Sequence, residues 1–465
     1  MRYISTRGQA PDLSFEEAML TGLARDGGLY LPESIPQLSH ADIAALEGVS
    51  YEEAAFRIMR PFLGDAFTDE EFCGIIERAY AGFGHAARAP LKQLDQGHFL
   101  LELFHGPTLA FKDFAMQLIG QLFEFSLKRS GKRVCIVGAT SGDTGSAAIE
   151  AFRGLDAVDV FILYPHGRVS EVQRRQMTTP SEDNVHAMAL TGHFDDCQAR
   201  VKDMFNDFAF RDSVGLAGVN SINWARVLAQ VVYFFTSAVA LGAPHRKVSF
   251  TVPTGNFGDI FAGYIAKRMG LPIDQLVVAT NQNDILHRCI STSEYKPDSV
   301  IPSISPSMDI QVSSNFERAL YYAYGQDGAA VAQLMDELKA GGFSVSQGAL
   351  QALQESFESG RCDEDETRAE IARSLAASGE LLCPHSAVGV KVANELREAG
   401  TPMITLATAH PAKFPAAVEE ASGVHPPLPD RMSDLYERSE RVTRVENDLG
   451  AIEEIIKAYC DNSAT

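Results

Sequence analysis

Residues 133–165, RVCIVGATSGDTGSAAIEAFRGLDAVDVFILYP, contain two apolar runs joined by a glycine-rich turn and a helical stretch. The first run, residues 133–138, is rich in β-branched side chains and ends at glycine, which favours a buried strand. Residues 145–154 have the composition of a helix, and residues 158–165 form the second apolar run. This order predicts two parallel strands joined by a crossover helix.

The same alternation continues on both sides of this stretch and predicts an α/β fold. Further strands are expected at residues 185–190, 247–255, 275–280 and 403–411. Helices are expected at residues 194–205, 227–243 and 260–269, and residues 194–205 have apolar positions at helical spacing. Residues 298–311 are rich in proline and serine and predict a loop, and the acidic residues 328–380 predict peripheral helices.

Length and composition place the chain among globular proteins with more than one domain. It has 465 residues, 45% of them hydrophobic and 22% charged, which is ordinary for packed domains. We predict an N-terminal, mainly helical domain at residues 1–95 and two doubly wound parallel-sheet domains at 96–230 and 231–465. The net charge of -21 disfavours nucleic acids and anionic membranes as partners.

Cysteine usage and the N-terminal segment predict a cytoplasmic protein. The seven cysteines are scattered, without a CxxC pair or a zinc-type spacing to histidine, which favours reduced thiols and no metal site. Charged residues interrupt every apolar stretch near the N-terminus, so we expect no signal peptide. The apolar residues 227–243 are fewer than the ~20 needed to cross a bilayer, which predicts a buried helix.

Two glycine-rich turns each follow a predicted strand and open a predicted helix. They are GATSGDTGS at residues 138–146 and PTGNFGDI at 253–260. Glycine lets a ligand approach the backbone, and the N–H groups at a helix N-terminus favour an anion. Neither turn matches GxGxxG, and the chain has no GxxxxGK[ST] motif, so nucleotide cofactors lack their usual support. The alternative is that the glycines serve packing alone.

Lys112 lies in the apolar context HGPTLAFKDFAMQ, residues 105–117. A partly desolvated lysine has a lowered pKa and becomes a better nucleophile toward a carbonyl. Alternatively, Lys112 pairs with Asp113 or extends its amine to solvent. An apolar lysine together with an anion-binding GNFGD turn is what a pyridoxal phosphate site requires, because the lysine holds the aldehyde and the helix N-terminus holds the phosphate.

The chain resembles the threonine synthase family along most of its length. The resemblance depends on seven segments that follow one another in the family's order: STRG (5–8), GLARDGGLYLPE (22–33), HGPTLAFKDF (105–114), GATSGDTGSAA (138–148), NSINWAR (220–226), GNFGD (255–259) and TAHPAKF (408–414). It implies the tryptophan-synthase-β-like fold, type II among pyridoxal enzymes.

The resemblance also implies the cofactor-binding residues. Lys112 matches the lysine that forms the Schiff base with pyridoxal 5'-phosphate, and Thr408 matches the hydroxyl residue facing the pyridine nitrogen. A hydroxyl stabilises a protonated ring less than a carboxylate does, so the cofactor would be a milder electron sink. Without the resemblance, the favoured interpretation of Thr408 is a β-branched strand residue with no ligand. The turn around the cofactor phosphate matches Gly255, Asn256, Phe257, Gly258 and Asp259.

Further polar residues are candidates for the substrate O-phospho-L-homoserine. Related type II enzymes have an asparagine-containing turn where this chain has Ser141, Gly142 and Asp143, so the role of Asp143 is open. Ser141 and Thr144 could donate hydrogen bonds to the substrate's carboxylate or phosphate, and the alternative is that they stabilise the turn. Arg226, with Ser221 and Asn223, is expected to bind the substrate phosphate, since a guanidinium fork matches its oxygens. A salt bridge on the long helix is the alternative. His105, His410 and Lys413 are secondary candidates.

The resemblance implies conversion of O-phospho-L-homoserine and water to L-threonine and phosphate, by a monomer or homodimer. A phospholyase releasing 2-oxobutyrate and ammonia would use the same early residues. A dehydratase or cysteine-synthase-like enzyme is expected to have SFKxR around its lysine, which HGPTLAFKDF does not match. A catalytically inactive binding protein is disfavoured by the intact Lys112, GNFGD turn and Thr408.

Overall fold

The structure is a computed structural model and describes residues 1–463 of the chain. Its strands are β1 Tyr3–Ser5, β2 Tyr30–Pro32, β3 Leu91–Asp95, β4 His98–Glu102, β5 Val134–Ala139, β6 Val158–Pro165, β7 Val185–Leu190, β8 Leu216–Ala217, β9 Val248–Pro253, β10 Ile273–Thr280, β11 Glu294–Tyr295, β12 Phe343–Ser344, β13 Glu358–Arg361, β14 Met403–Ala407 and β15 Thr443–Val445.

Its α-helices are α1 Phe15–Thr21, α2 His40–Ala44, α3 Tyr51–Leu63, α4 Asp69–Tyr80, α5 Lys112–Ser130, α6 Asp143–Phe152, α7 Glu171–Thr178, α8 Phe194–Asn206, α9 Phe208–Val214, α10 Trp224–Ala240, α11 Gly258–Arg268, α12 Ile285–Thr292, α13 Phe316–Ala323, α14 Gly328–Lys339, α15 Gln347–Ser356, α16 Glu364–Ser378, α17 Pro384–Leu396, α18 Pro415–Ser422 and α19 Leu449–Ser463. Short 3-10 helices occur at Pro306–Met308, Pro411–Lys413 and Asp430–Met432.

Contacts divide the chain into two compact units, each made of separate segments. The first unit contains residues 1–77, 85–105 and 221–426, and the second contains residues 78–84, 106–220 and those from 427 on. The mainly helical N-terminal segment therefore has most of its contacts within the first unit. The three-domain division at residues 95 and 230 stays a prediction.

A five-stranded parallel sheet forms the centre of the second unit. Its order is β15-β7-β6-β5-β8, and every neighbouring pair is parallel. Alternate residues of β5, β6 and β7 pack against α8, α9 and α19 in one apolar cluster. All residues of β6 are buried, so the sheet is covered on both faces, as parallel sheets require.

The first unit contains a six-stranded sheet in the order β13-β10-β9-β14-β4-β3. Its neighbours are parallel except for the β3–β4 hairpin. α10, whose residues are almost all buried, packs against α11 and α3. Two short antiparallel pairs, β1–β2 and β11–β12, complete this unit.

In each sheet there is one strand at which the strand order reverses, so that later strands are added on its other side. In the second unit β6 and β7 lie on one side of β5 while β8 lies on the other, and in the first unit β10 and β14 flank β9. The carboxyl ends of the strands at such a switch point are where open α/β sheets bind their ligands. The two glycine-rich turns follow β5 and β9, and Thr408 follows β14.

The predicted α/β fold with parallel sheets and a helical N-terminal region is confirmed. The strands predicted at 158–165 and 185–190 have the observed bounds. Residues 328–380 form the predicted helices, as α14, α15 and α16, but they also contain β13, which was not predicted and which pairs in parallel with β10 at the sheet edge. The sequence of β13, ESGR, has no β-branched residue, and this strand therefore depends on pairing with β10 rather than on propensity. The strand predicted at 403–411 is observed as β14, which lies inside the sheet between β9 and β4.

None of the helices in residues 1–463 combines the length and apolar content needed to cross a bilayer.

Candidate active site

Lys112 is the first residue of α5 and follows a loop that Asp113 holds in shape. The Asp113 carboxylate accepts hydrogen bonds from the Thr108 backbone N–H at 2.8 Å and from its hydroxyl at 2.6 Å. Leu109, fully buried, has a φ of +63°, an uncommon value for a branched residue. A Cβ at Gly106 would lie 2.5 Å from Asp113 Oδ2. The loop therefore closes tightly around Asp113 and fixes the start of α5.

The Lys112 amine lies at the switch point of the second unit. Its Nζ is 3.5 Å from Asp143 Oδ2 and 4.9 Å from the centre of the Phe111 ring. Lys112 is only 8% exposed, so its amine does not extend into bulk solvent. In its neutral form a buried amine can serve as a nucleophile and as a base, and the nearby carboxylate offers a partner for the proton that the amine gains.

Asp143 is placed by a tight turn between β5 and α6. Thr140 Oγ1 accepts hydrogen bonds from the N–H groups of Gly142 and Gly145, both at 2.9 Å. Gly142 has a φ of +141°, and a Cβ there would lie 2.4 Å from the Gln173 side chain. Gln173 Nε2 donates to Asp143 Oδ1 at 2.9 Å, which leaves Oδ2 directed toward Lys112. Ser141 and Thr144 are half-buried in the same turn.

The GNFGD turn lies at the switch point of the first unit, between β9 and α11. Phe257, buried against Phe316 and Phe357, adopts a φ of +63° just before the first helical residue, Gly258. A Cβ at Gly255 would lie 2.6 Å from the Ser307 carbonyl oxygen. Asn256 is exposed, and Gly255 and Gly258 are half-buried. The turn thus keeps accessible backbone at the N-terminus of an 11-residue helix, where an anion is favoured.

The carboxylate of Asp259 is directed into the protein. Its Oδ1 accepts a hydrogen bond from the Tyr233 hydroxyl of α10, and Asp259 is buried. This contact ties the first turn of α11 to α10. Asp259 therefore stabilises the turn from its buried side. The backbone N–H groups of the turn are the groups suited to bind a phosphate.

Thr408 directly follows β14 and is nearly buried. Its backbone N–H donates to Ser386 Oγ at 3.2 Å, and Ser386 lies in the first turn of α17 beside its N-cap residue Cys383. The neighbouring His385 Nε2 accepts a hydrogen bond from the Ser307 N–H at 3.1 Å. Since β14 and β9 are parallel neighbours, Thr408 and the GNFGD turn emerge at the same edge of the sheet.

The segment 221–226 begins α10, and its three candidate side chains have different surroundings. Asn223 is the N-cap residue: its Oδ1 accepts from the Ala225 N–H at 3.1 Å, and its Nδ2 donates to the Met19 carbonyl at 2.7 Å. Arg226 is buried within the first turn of the helix, and burial lowers the pKa of its guanidinium to about 10. Ser221 is half-buried. Asn223 thus holds the helix start, and the substrate contacts of all three residues remain predictions.

Two of the three secondary candidates are held by local contacts. His105 Nε2 lies 2.7 Å from Glu102 Oε2, and His410 Nδ1 accepts from the Ala412 N–H at 3.2 Å. Lys413 is fully buried. Sequence reasoning missed Gln173 and Ser386, which lie on other helices and contact Asp143 and Thr408 only through the fold.

These residues match the requirements of pyridoxal phosphate. A largely buried amine is present at Lys112, the N-terminus of α11 offers accessible N–H groups for a phosphate, and Thr408 offers a hydroxyl at a neighbouring strand end. The family model "Pyridoxal-phosphate dependent enzyme" matches residues 85–334. The chain is therefore a pyridoxal-phosphate-dependent enzyme.

Two further family models, "Threonine synthase N terminus" and "Threonine synthase, C-terminal", match residues 2–80 and 386–456. The chain is 55% identical to threonine synthase of Pseudomonas aeruginosa, over 99% of this chain and 98% of that protein. The crystal structure of pyridoxal-phosphate-bound threonine synthase from Brucella melitensis matches with a TM-score of 0.97 and 56% identity, covering 99% of each chain. The yeast enzyme's crystal structure matches with a TM-score of 0.94 and 40% identity, also covering 99% of each chain. The chain belongs to the threonine synthase family.

Proposed function

We propose that this enzyme converts O-phospho-L-homoserine and water to L-threonine and inorganic phosphate, as the last step of threonine formation. The observation that carries the proposal is the buried Lys112 amine, 3.5 Å from Asp143, in a chain of this family. The fold class, the cofactor and the segments of the family motif all agree with it.

Lys112 would hold the cofactor through its amine, and the N–H groups of residues 255–259 would bind the cofactor phosphate. Thr408 would offer its hydroxyl to the ring nitrogen. When bound, the cofactor withdraws electrons from the bonds to the substrate's Cα. A hydroxyl partner keeps that withdrawal weaker than a carboxylate partner would.

Lys112 is the group we assign to proton transfer. Once its amine is released by the incoming substrate, it takes the proton from Cα and later returns one there. Asp143, held by Gln173, would keep the amine oriented during both transfers. A proton is also lost from Cβ and phosphate leaves from Cγ; Cγ then gains a proton and water adds its hydroxyl at Cβ.

Substrate binding is assigned to two groups of residues. Arg226 would bind the substrate phosphate, supported by Ser221 and Asn223, because a guanidinium forms paired charge-assisted hydrogen bonds with phosphate oxygens. Ser141 and Thr144, in the turn that carries Asp143, would bind the substrate carboxylate or phosphate. The departing phosphate can then accept the proton of the attacking water while it stays bound.

The experiment that tests this proposal is identification of the product. Purified enzyme loaded with pyridoxal phosphate is incubated with O-phospho-L-homoserine, and amino acids, keto acids and phosphate are measured. We expect threonine and phosphate in equal amounts. Release of 2-oxobutyrate and ammonia instead would show a phospholyase and refute the proposed water addition, and release of no product would refute the activity altogether.

We further propose that the enzyme works in the cytoplasm as a monomer or homodimer with a small-molecule substrate. The scattered cysteines support a reducing compartment. The net charge of -21 supports the absence of nucleic-acid or membrane partners. Sedimentation of the purified chain would distinguish the two oligomeric states.

A further inference from the structure

Arg318, in α13, has a fully buried guanidinium that contacts two distant segments of the first unit and the N-cap residue of its own helix. Its Nη2 donates to the carbonyl oxygens of Tyr30 and Ile222, both at 2.6 Å, and its Nη1 donates to Asn315 Oδ1. Burial lowers the pKa of Arg318 to about 9. A buried charge is costly unless it is well hydrogen-bonded, so this arrangement calls for an explanation beyond packing.

Asn315 connects Arg318 to the GNFGD turn. Its backbone N–H and its Nδ2 both donate to the Asn256 carbonyl oxygen, each at 3.0 Å, and Nδ2 also donates to the Ser221 carbonyl at 3.0 Å. Because a guanidinium can only donate, Arg318 fixes which end of the Asn315 amide is the oxygen. The NH₂ end is thereby directed to the two carbonyl oxygens.

The two hydrogen bonds that the Asn256 carbonyl oxygen accepts set the direction of the next backbone N–H group, that of Phe257. In a trans peptide the C=O and the following N–H lie in one plane and point in opposite directions. Two donors on the Asn256 oxygen therefore aim the Phe257 N–H away from Asn315. That N–H belongs to the turn to which we assign the cofactor phosphate.

The N-terminal segment is anchored beside Arg318. Glu317 accepts hydrogen bonds from Arg7 Nη2 at 2.9 Å and from Thr6 Oγ1 at 2.6 Å. Thr6 Oγ1 in turn accepts from the Leu29 N–H at 2.8 Å. Adjacent residues of α13 thus bind the STRG segment and, through Tyr30, the strand β2. The start of the chain supports the same helix that holds the turn.

We propose that Arg318 is a positioning residue that, through Asn315, keeps the backbone of the GNFGD turn in the orientation that binds the cofactor phosphate. It touches neither substrate nor cofactor in this account. The inference rests on the assignment of this turn under the proposed function and adds a residue that the family motifs in the sequence did not mark.

The test compares two ligands that differ only in the phosphate. The full-length chain is freed of cofactor, and dissociation constants for pyridoxal phosphate and for pyridoxal are measured by absorbance titration. In Arg318→Met we expect weaker binding of pyridoxal phosphate by roughly tenfold to a hundredfold, the range for a lost hydrogen bond to a charged group. Binding of pyridoxal is expected to stay within about twofold of the wild type, since that ligand has no phosphate for the turn to hold.

Two further variants separate positioning from general stability. Arg318→Lys keeps the charge, but its ammonium group cannot donate to three oxygens as the guanidinium does. It should therefore bind pyridoxal phosphate in preference to pyridoxal more strongly than Arg318→Met does, but less strongly than the wild type. Arg88→Met removes an ion pair with Glu52 at 2.8 Å. Neither of these residues belongs to the GNFGD turn or to α13, so this variant should leave the ratio of the two dissociation constants unchanged.

If Arg318→Met does not fold, Asn315→Asp carries the test. This variant retains the oxygen that accepts from Arg318, but it replaces the amide NH₂ group with a second oxygen, which faces the Asn256 and Ser221 carbonyls and cannot donate to them. An unchanged ratio of dissociation constants in Asn315→Asp and in every folded Arg318 variant overturns the inference. A wild-type enzyme that binds both ligands equally well would instead refute the assignment of the turn itself.

Discussion

Lys112 depends on its two acidic neighbours in different ways. Asp113 shapes the preceding loop by accepting both hydrogen bonds from Thr108, while Asp143 lies 3.5 Å from the amine. The adjacency of Lys112 and Asp113 in sequence therefore concealed a partner 31 residues away. A carboxylate that is itself held by Gln173 can orient the amine without taking part in covalent chemistry.

At this scale we predict the effect of Lys112→Ala. Turnover should be abolished and the cofactor should no longer attach covalently, because the amine that we assign to cofactor binding and to α-proton transfer is gone. The circular dichroism spectrum should match that of the wild type. The checks are product formation and mass spectrometry after borohydride reduction; normal threonine production by the variant would refute the assignment of Lys112.

Arg226→Ala should raise the KM for O-phospho-L-homoserine. Loss of a charge-assisted contact corresponds to about 1.5–3 kcal/mol in the free energy of binding. Steady-state kinetics and the absorbance of the bound cofactor are the measurements, and the absorbance should not change. Kinetics equal to those of the wild type would place Arg226 outside the phosphate-binding residues.

At the level of elements, the candidate residues of each unit lie where parallel strands end. The turn after β5 carries Asp143, the turn after β9 carries the GNFGD residues, and Thr408 follows β14. Because each sheet changes its direction of growth at these strands, the crossover connections diverge there and leave room for a ligand. The turns are then shaped by glycines at positions where no side chain fits.

Gly255→Ala tests this steric requirement. The added Cβ would lie 2.6 Å from the Ser307 carbonyl oxygen, and this backbone atom has no rotamer by which to move away. We expect weaker binding of pyridoxal phosphate by at least about tenfold, because the turn must shift. Gly348→Ala is the control, since a Cβ there meets nothing within 4 Å. This variant should bind pyridoxal phosphate with the affinity of the wild type. Equal affinity in both variants would contradict the account of the turn.

His98, in β4, makes the stability of the fold dependent on pH. Burial, aided by the charge of Arg397, lowers its pKa to about 4, while an unfolded histidine titrates near 6.5. Below pH 6.5 the unfolded chain therefore binds a proton that the folded chain does not. The free energy of unfolding should fall by about 2 kcal/mol between pH 7 and pH 5 from this group alone.

Urea unfolding at both pH values measures this loss. His98→Gln can keep the hydrogen bond that joins Nε2 to Thr405 Oγ1 at 2.7 Å, yet it does not titrate. The variant should therefore lose less stability than the wild type on acidification. An identical loss in both proteins would show that His98 is not the group responsible.

For the whole molecule, the sequence was sufficient to predict the features that depend on a local pattern of residues. Apolar runs located β5, β6, β7 and β9. The family motifs pointed to Lys112, the GNFGD turn and Thr408, whose roles in the site stay predictions. The sequence did not reveal β13, whose polar residues form a strand only beside β10. Nor did it reveal Arg318, whose partners Tyr30 and Ile222 are 288 and 96 residues away. Such contacts arise from the packing of distant segments, and a local pattern does not encode them.

The amine of Lys112 is the group that we assign to holding pyridoxal phosphate. Borohydride reduction of the loaded enzyme, followed by digestion and mass spectrometry, would locate the pyridoxyl group. We expect the modification on the peptide containing Lys112 and on no other. A pyridoxyl group on another lysine, above all the fully buried Lys413, would contradict it.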